Sequence, residues 1–438
     1  MTGAVKGQGQ RQRVDDGCPG ALRPHYAADG ALLRIRVPGG ALALSALRGL
    51  AAAATEFADG RIGLTSRGNL QVRGVSEGDV ESLVQRVRGA GLLPDAEHER
   101  VRNIVASPLS GRRSGSLDDV DPLVHDLDAA LCARPGLARL PGRFLFAVDD
   151  GSGDVQAEGA DVLALALGGG QYAVRPAGAG RGLQVEVQNV VAAMLAVAEA
   201  FLAERLAQDS NAWRIAELAG GGATLVERLH SSGWAIEHSA PGGQPALGGP
   251  VAPGEHLALG SAALEPGLIE QRDGRFAVCA LTPLGLLTAA QVAALAAGSE
   301  LSQAPPDGPR GALRITPWRR VVVRDLQLPA ALAVRELLSS VDLVVEPGTA
   351  WSRLTACAGR PGCAQSLTDV HADVQAFAAV ADSTGPALHW AGCERSCGTP
   401  SGSVVRVLAT ADGYRLHSNG GAQLGPRDLE AIRIEVAR

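Results

Sequence analysis

The sequence predicts an α+β protein built by internal duplication, a strand–helix–strand module followed by an α/β module, made twice. Three observations carry this. LLRIRVPGGALALSALRGLAAAA followed by GRIGLTSRGNLQVRG reads like RFAVCALTPLGLLTAAQVAALAA followed by GALRITPWRRVVVRDL. Laying Thr65 on Thr316, an offset of 251, also brings Leu64 onto Ile315 and Arg73 onto Arg324. At nearly the same offset LDDVDPLVHDLDAAL, from Leu117, falls on LTDVHADVQAFAAV, from Leu367, and ASPLSG, from Ala106, on ACAGRPGC, from Ala356. Repeats of this length mark whole modules rather than turns.

Each repeat opens with an alternating strand, a Pro/Gly turn, an Ala/Leu helix and a further strand read as beginning at the threonine. The modules are expected at residues 20–100, 101–250, 251–340 and 341–438. The Pro/Gly-rich stretch HSAPGGQPALGGPVAPG, from His238, reads as the linker between halves. In the second module VVAAMLAVAEAFLAERLA is expected as an amphipathic helix and QYAVRPAGAGRGLQVEV as a hairpin. The GAGRG inside that hairpin lacks the spacing of a dinucleotide fingerprint and reads as a turn.

A length of 438 residues implies two to four domains, and 46% hydrophobic residues supply their cores. A net charge of -6 argues against a general nucleic-acid binder, and 3% aromatics against stacking platforms for single strands. Lys6 is the single lysine, so every other member of the 40 Lys+Arg residues is arginine. A GC-rich coding bias accounts for that composition. Its chemical consequence is that no lysine stands in the folded body as Schiff base, phosphate-loop cation or proton donor, which excludes a Walker-type site. The amino-terminal segment lacks an apolar h-region, and the run Val190 to Ala198 is too short to span a bilayer. A cytoplasmic protein without a membrane partner is expected.

Seven cysteines in a long chain without a secretory signal do not suggest a disulfide framework. Cys18, Cys132 and Cys279 are scattered and read as plain thiols. Cys357, Cys363, Cys393 and Cys397 form C-x5-C, a gap of 29 residues, then C-x3-C. Four thiolates hold a [4Fe–4S] cluster or a structural zinc, or remain unliganded. The wide x5 loop and the long gap are unlike a zinc knuckle and favour the cluster. Gly359, Gly392 and Gly398 leave room for backbone N–H groups to approach the sulfurs.

With the second pair embedded in GCERSCG, the cysteine pattern resembles that of the siroheme-dependent nitrite and sulfite reductase superfamily. LRIRVPGG, LTSRGNLQVRG and VRNIVASPLSG resemble further motifs of that superfamily in the same order, over about residues 20 to 415. The resemblance implies two ferredoxin-like half-domains and two α/β domains, with Cys357, Cys363, Cys393 and Cys397 as ligands of [4Fe–4S]. It also implies that Arg34, Arg36, Arg67, Arg102 and Asn103 hold tetrapyrrole carboxylates or an anionic substrate. Asn69, Gln71 and Arg73 alternate with Arg67, so one strand face could present all four. Arginine suits the role, because many acetate and propionate arms need fixed bidentate donors.

One segment departs from the reductases. Where they resemble one another in a Lys-x-Lys strand that binds the anion and delivers protons, this chain has LPGRFLFAVDD, with Arg143 and Leu145 at the lysine positions. Arginine can hold an anion but is a poor acid near neutral pH. Leucine can do neither, so multi-electron reduction of sulfite or nitrite fits this strand badly.

The shorter chain and the kept cysteines resemble instead the precorrin-3B synthase family of the oxygen-dependent cobalamin pathway, as do DDGCPGALRPHYAADGALLRIRVPGG and ITPWRRVVV. That resemblance implies hydroxylation of precorrin-3A at C20 by O2, with closure of a γ-lactone. An external donor is implied, NADH acting through a reductase or a ferredoxin, since the chain shows no nucleotide motif. It also implies a mononuclear non-haem iron that activates O2. His371 and His389 are the candidate ligands, although a structural histidine is the simpler reading for each. Siroheme would be resident only under the alternative reading, a nitrite or sulfite reductase. A non-catalytic Fe–S electron carrier is the second alternative, disfavoured by the number of matched arginines.

Overall fold

The computed structural model describes residues 16–237, 264–305, 307–308, 311–400, 403–417, 423–427 and 432. Lys6 and the linker from His238 lie outside them. The strands, in chain order, fall into four groups. The first is β1 (His25–Ala27), β2 (Gly30–Ile35), β3 (Arg61–Leu64) and β4 (Leu70–Val75); the second is β5 (Ile104–Ala106), β6 (Phe146–Asp149), β7 (Val162–Gly168), β8 (Gln171–Pro176) and β9 (Leu183–Glu186). The third is β10 (Gly267–Glu270), β11 (Phe276–Leu281), β12 (Leu286–Thr288), β13 (Leu313–Ile315) and β14 (Arg320–Leu326); the fourth is β15 (Leu354–Ala356), β16 (Leu388–Ala391), β17 (Val405–Thr410), β18 (Gly413–His417) and β19 (Gln423–Arg427). The helices are α1 (Leu44–Phe57), α2 (Val80–Gly89), α3 (Asp121–Cys132), α4 (Val190–Ala207), α5 (Gly221–Ser231), α6 (Ala289–Glu300), α7 (Leu328–Ser339) and α8 (Val370–Ala378).

The duplication is written in the sheets. The second and fourth groups have the same linear order, β5-β6-β7-β8-β9 and β15-β16-β17-β18-β19. In each the first three strands are parallel and the last two join antiparallel. The first and third groups form antiparallel sheets ordered β1-β2-β4-β3 and β10-β11-β14-β13, and β12 adds to the outer edge of β3.

Local geometry repeats as well. In the Pro38-Gly39-Gly40 turn the last two residues have φ of 61° and 68°, and in Pro283-Leu284-Gly285 they have 54° and 71°. The threonines close matching turns. Thr65 Oγ1 accepts from Asn69 N at 3.1 Å and Thr316 Oγ1 from Arg320 N at 3.1 Å. The threonine therefore ends a strand and starts a tight turn, rather than opening the next strand as its sequence suggests. Its hydroxyl competes for backbone donors, which favours turns.

The described residues form two compact units. One comprises 16–19, 36–39 and 95–237; the other comprises 20–35, 40–94 and the residues from 264 onward. In the first, Phe144, Phe146 and Phe201 meet with ring centroids 5.0–5.2 Å apart in a core that also takes Leu127, Tyr172 and Leu195. Helix α4 coincides with the stretch predicted from sequence, but it is buried around most of its circumference rather than along one stripe. It packs on β7, β8 and β9 and also against α3 and α5, so more than one face is covered. In the second unit Trp390, Phe377 and Tyr414 centre the core of the fourth sheet. None of the described helices is long and apolar enough to cross a membrane.

In the second module the loops after β5 and β6 contain no cysteine. At Ser107, the counterpart of Cys357, the hydroxyl donates to Asp154 Oδ1 at 2.7 Å and accepts from Asp150 N at 3.1 Å. Ser116 Oγ donates to Asp150 Oδ2 at 2.6 Å. Burial pushes the Asp154 carboxyl up from 3.8 to about 7. A raised acid stabilises the fold fully below about 3.8 and loses that contribution as pH rises through about 7. Asp154→Asn should therefore melt above the wild type at pH 8, by a margin that shrinks toward pH 4, as measured by thermal denaturation across pH.

Candidate functional site

The four clustered cysteines follow two adjacent parallel strands. Cys357 and Cys363 lie in the loop after β15, and Cys393 and Cys397 in the loop after β16. Loops at the carboxyl ends of neighbouring parallel strands converge, which brings ligands distant in sequence together. All four thiols are free, and Cys397 is exposed. The Cys397 thiol is pushed up by burial, then by the thiols of Cys393, Cys357 and Cys363, so all four share one electrostatic environment.

The loops are cross-tied. Cys357 N donates to Trp390 O at 2.9 Å, and Leu367 N to Gly392 O at 2.8 Å. Gly392 N donates to Cys357 Sγ at 3.3 Å, the approach its lack of a side chain was expected to permit. A Cβ at Gly392 would stand 1.7 Å from Ser366 Oγ, so only glycine fits. An N–H aimed at a thiolate stabilises its negative charge and tunes a bound cluster.

Both candidate histidines brace these loops. His371 Nε2 bonds the Cys357 carbonyl at 2.9 Å. His389 sits on β16 beside Trp390, and alternation along the strand turns the two residues to opposite faces. Its Nε2 bonds the Cys397 carbonyl at 3.2 Å and its Nδ1 meets Thr355 Oγ1 at 3.0 Å. Burial pushes the His389 ring down to about 4 and His371 below its usual value, so both rings are neutral near pH 7. Both ring nitrogens of His389 are engaged, by the Cys397 carbonyl and the Thr355 hydroxyl, which fits the structural reading that was the simpler one from sequence.

Among the described residues no group of three or more His, Cys, Asp or Glu side chains is arranged to hold a metal ion. A single tetrahedral zinc at about 2.3 Å would draw its four sulfurs to roughly 4 Å from one another. A [4Fe–4S] cluster likewise takes four thiolates. The donor set is right for it, being all sulfur, with a backbone N–H directed at one of the sulfurs.

The arginines predicted from sequence divide between the two units. Arg34, Arg67, Asn69, Gln71 and Arg73 belong with the cysteines; Arg36, Arg102, Asn103 and Arg143 belong to the other unit. The single strand face expected for residues 67 to 73 is corrected. Arg67 lies in the Thr65 turn and Asn69 is buried at the turn's end, so only Gln71 and Arg73 share a face of β4. Arg34 Nη2 reaches Gln71 Oε1 at 3.5 Å. Arg73 makes a forked pair with Asp29, 3.1 Å in each arm, and donates Nη2 to the carbonyl of Gly362 at 2.8 Å. It supports the first cysteine loop from a strand nearly three hundred residues away.

In the other unit Arg102 is buried and forked onto Asp128 at 2.7 and 2.6 Å. Asn103 Nδ2 donates to the carbonyls of Gly142 and Phe144 at 2.5 and 3.3 Å, fixing the chain on both sides of Arg143. Arg36 Nε bonds Arg100 O at 3.2 Å. Arg143 is exposed, its guanidinium 5.6 Å from the ring centre of Trp213. Leu145 is buried with Val105 and Ala147 in a small apolar cluster, flanked by Ala160 and Leu163. The position matched from sequence to a second lysine is thus an aliphatic contact. Burial pushes the thiols of Cys132 and Cys279 up, to about 11 and about 12.

Comparisons with known proteins agree with this architecture. Residues 26–90 match the nitrite/sulfite reductase ferredoxin-like half domain. A precorrin-3B synthase from Sinorhizobium sp is 27% identical over 422 residues, covering 92% of this chain and 83% of that protein. A ferredoxin–nitrite reductase from Leptolyngbya laminosa is 32% identical over 123 residues, which is 27% of this chain and 24% of that protein. A ferredoxin-dependent sulfite reductase from Mycobacterium tuberculosis is 33% identical over 135 residues, 30% and 24% respectively. The solved structure of the Mycobacterium tuberculosis NirA protein superposes with a TM-score of 0.65 at 20% identity, covering 91% of this chain and 76% of that one. The fold is therefore the duplicated nitrite/sulfite reductase fold.

Arg73→Ala should strand Asp29 and release the Gly362 carbonyl. The expected result is a loss of about 2 kcal/mol in thermal or denaturant unfolding, with faster thiol labelling of Cys363 in metal-free protein. Arg73→Lys should lie between, since it keeps the charge and loses the fork.

Proposed function

We propose that this chain belongs to the nitrite/sulfite reductase superfamily and acts within it as an oxidoreductase on a tetrapyrrole, with the activity of a precorrin-3B synthase. The reaction is O2-dependent hydroxylation of precorrin-3A at C20 with closure of a γ-lactone from a ring carboxylate. One oxygen atom of O2 enters C20. The other leaves as water, taking two protons and two electrons from an external donor, NADH by way of a reductase or a ferredoxin.

The observation that carries this reading is Leu145. The strand that would supply a proton-delivering lysine pair presents an exposed arginine and a leucine packed among Val105 and Ala147. Reduction of sulfite or nitrite consumes many protons, and the side chains at the two lysine positions cannot deliver them, arginine being a poor acid near neutral pH and leucine none. Hydroxylation has no such demand at that strand. The extent of the likeness supports the same side, since the precorrin-3B synthase aligns along most of both chains and the reductases along about a quarter of theirs.

Cys357, Cys363, Cys393 and Cys397 would hold a [4Fe–4S] cluster, which when bound supplies one-electron transfer. Gly392 contributes its N–H to Cys357, and Arg73, His371 and His389 hold the loop carbonyls so that the four sulfurs keep their places. His371 and His389 are neutral and add no positive charge beside the thiolates, whereas Arg395 on the second loop does. Arg34 and Arg67, in the unit that carries the cysteines, are the matched arginines that would receive carboxylate arms of the ring. In the other unit Arg36, Arg102 and Asn103 shape their own segments, Asn103 the one that carries Arg143.

The test is isotopic. Incubation of the iron-loaded chain with precorrin-3A, reductant and ¹⁸O2 should give a product carrying one ¹⁸O atom. A product without label overturns the monooxygenase reading.

A further inference from the structure

One row across the fourth sheet differs from its duplicate in chemistry but not in backbone. Strand register sets Thr355, His389, Arg406 and His417 side by side on β15, β16, β17 and β18. In the second sheet the same row reads Val105, Ala147, Leu163 and Arg175. Tyr172 and Tyr414, three residues before Arg175 and His417, mark the match, each bonding an aspartate through its hydroxyl. Paired residues on neighbouring strands point to the same face. The second sheet keeps this face apolar, with Val105, Leu145 and Ala147 clustered and Leu163 packed against them. The arginine of its row, Arg175, is forked onto Glu237 at 3.0 and 2.7 Å.

The fourth sheet fills the row with polar and basic groups and offers them no counter-charge. None of β15 to β19 contains an aspartate or a glutamate. Arg415 lies opposite Leu408, two residues from His417, and so shares the face with Arg406. Among the described residues neither arginine forms a hydrogen bond or an ion pair. The Nε2 of His417 is buried without a hydrogen-bond partner. Like charges gathered on one sheet face are destabilising, and a buried polar atom left unmet is costly. An arriving anion relieves both.

The row lies beside the second cysteine loop, since His389, the cross-strand neighbour of Arg406, bonds the carbonyl of Cys397 at 3.2 Å. Arg406, Arg415 and His417 are all half-buried. Donors at that depth suit a small anion, because a flat protein surface cannot follow them inward. Diagonal neighbours such as Arg406 and Arg415 stand roughly 7–8 Å apart on an antiparallel pair, within reach of long side chains. Two guanidinium forks on that spacing can each take one of two linked oxyanion groups, as a diphosphate presents them.

We propose that this face of the fourth sheet binds a diphosphate group, Arg406 and Arg415 each receiving one phosphate and His417 supplying a third contact beside Arg406. Free pyrophosphate and the pyrophosphate bridge of a dinucleotide share that chemistry. The assignment does not rest on the tetrapyrrole reading. In the dinucleotide case it seats a soluble reductant next to the cysteine loops.

The test is calorimetric titration of the iron-loaded full chain, kept without oxygen, with sodium pyrophosphate and separately with NADH, at an ionic strength held constant with KCl. Pyrophosphate should bind, and Arg406→Gln and Arg415→Gln should each weaken it roughly tenfold. NADH bound and weakened by the same substitutions identifies a dinucleotide as the source; pyrophosphate bound without NADH identifies the free anion. Arg406→Lys keeps the charge without the fork and should fall between the wild type and Arg406→Gln, with the melting temperature held in all three variants. Binding of neither probe overturns the proposal, as does binding that the Arg406→Gln, Arg415→Gln double variant leaves unchanged. Equal loss in Arg406→Lys and Arg406→Gln with a lowered melting temperature marks a structural role and overturns it. Poly-glutamate bound as tightly as pyrophosphate marks a general docking surface for acidic proteins and overturns it too.

Discussion

The Gly392 amide and the Cys357 sulfur, 3.3 Å apart, join the loops that follow two adjacent parallel strands. Much of the site depends on that meeting. It requires β15 and β16 to be neighbours, which the order of the fourth sheet provides, and it requires a residue without a side chain at position 392, since Ser366 fills the space beyond. Around it the loop carbonyls are held by groups from elsewhere in the unit: Arg73 on β4, His371 on α8 and His389 on β16. A set of four thiols is only useful for holding a cofactor if its positions are fixed before the cofactor arrives, and these braces do that.

Duplication explains how one scaffold carries two different loop chemistries. The second and fourth sheets share strand order and direction, so each offers two loops at the ends of adjacent parallel strands. In the fourth, those loops hold cysteines. In the second, Ser107, Ser116, Asp150 and Asp154 close the corresponding space with hydrogen bonds. The half-domain turns diverge likewise, with Gly68 in one and Arg319 in the other on the same backbone. In each case the backbone is kept and side chains alone change what the position can do.

Much of this was legible in the sequence, for physical reasons. The two cysteine pairs could be grouped from sequence, and the sheet order places them on loops after adjacent parallel strands. The duplication could be read because turns need particular residues, and Thr65 with Thr316 and Pro38 with Pro283 mark the same turns twice. What could not be read was partnership. Sequence shows that Arg73 and Arg102 are arginines but not that Asp29 and Asp128 take them, nor that Arg73 also supports Gly362. Asn69 was expected on an open strand face because a two-residue period was extended through what is a turn. Arg406 and His417 escaped notice because strand pairing alone sets them side by side.

The central claim is that a reductase scaffold here keeps the cluster site and meets its tetrapyrrole as substrate rather than as a resident group. The most direct measurement is the absorption spectrum of protein purified without oxygen, together with its iron and acid-labile sulfide content. The account predicts a broad iron–sulfur band with about four irons and four sulfides per chain and no isobacteriochlorin bands. Siroheme bound in a one-to-one ratio would contradict it.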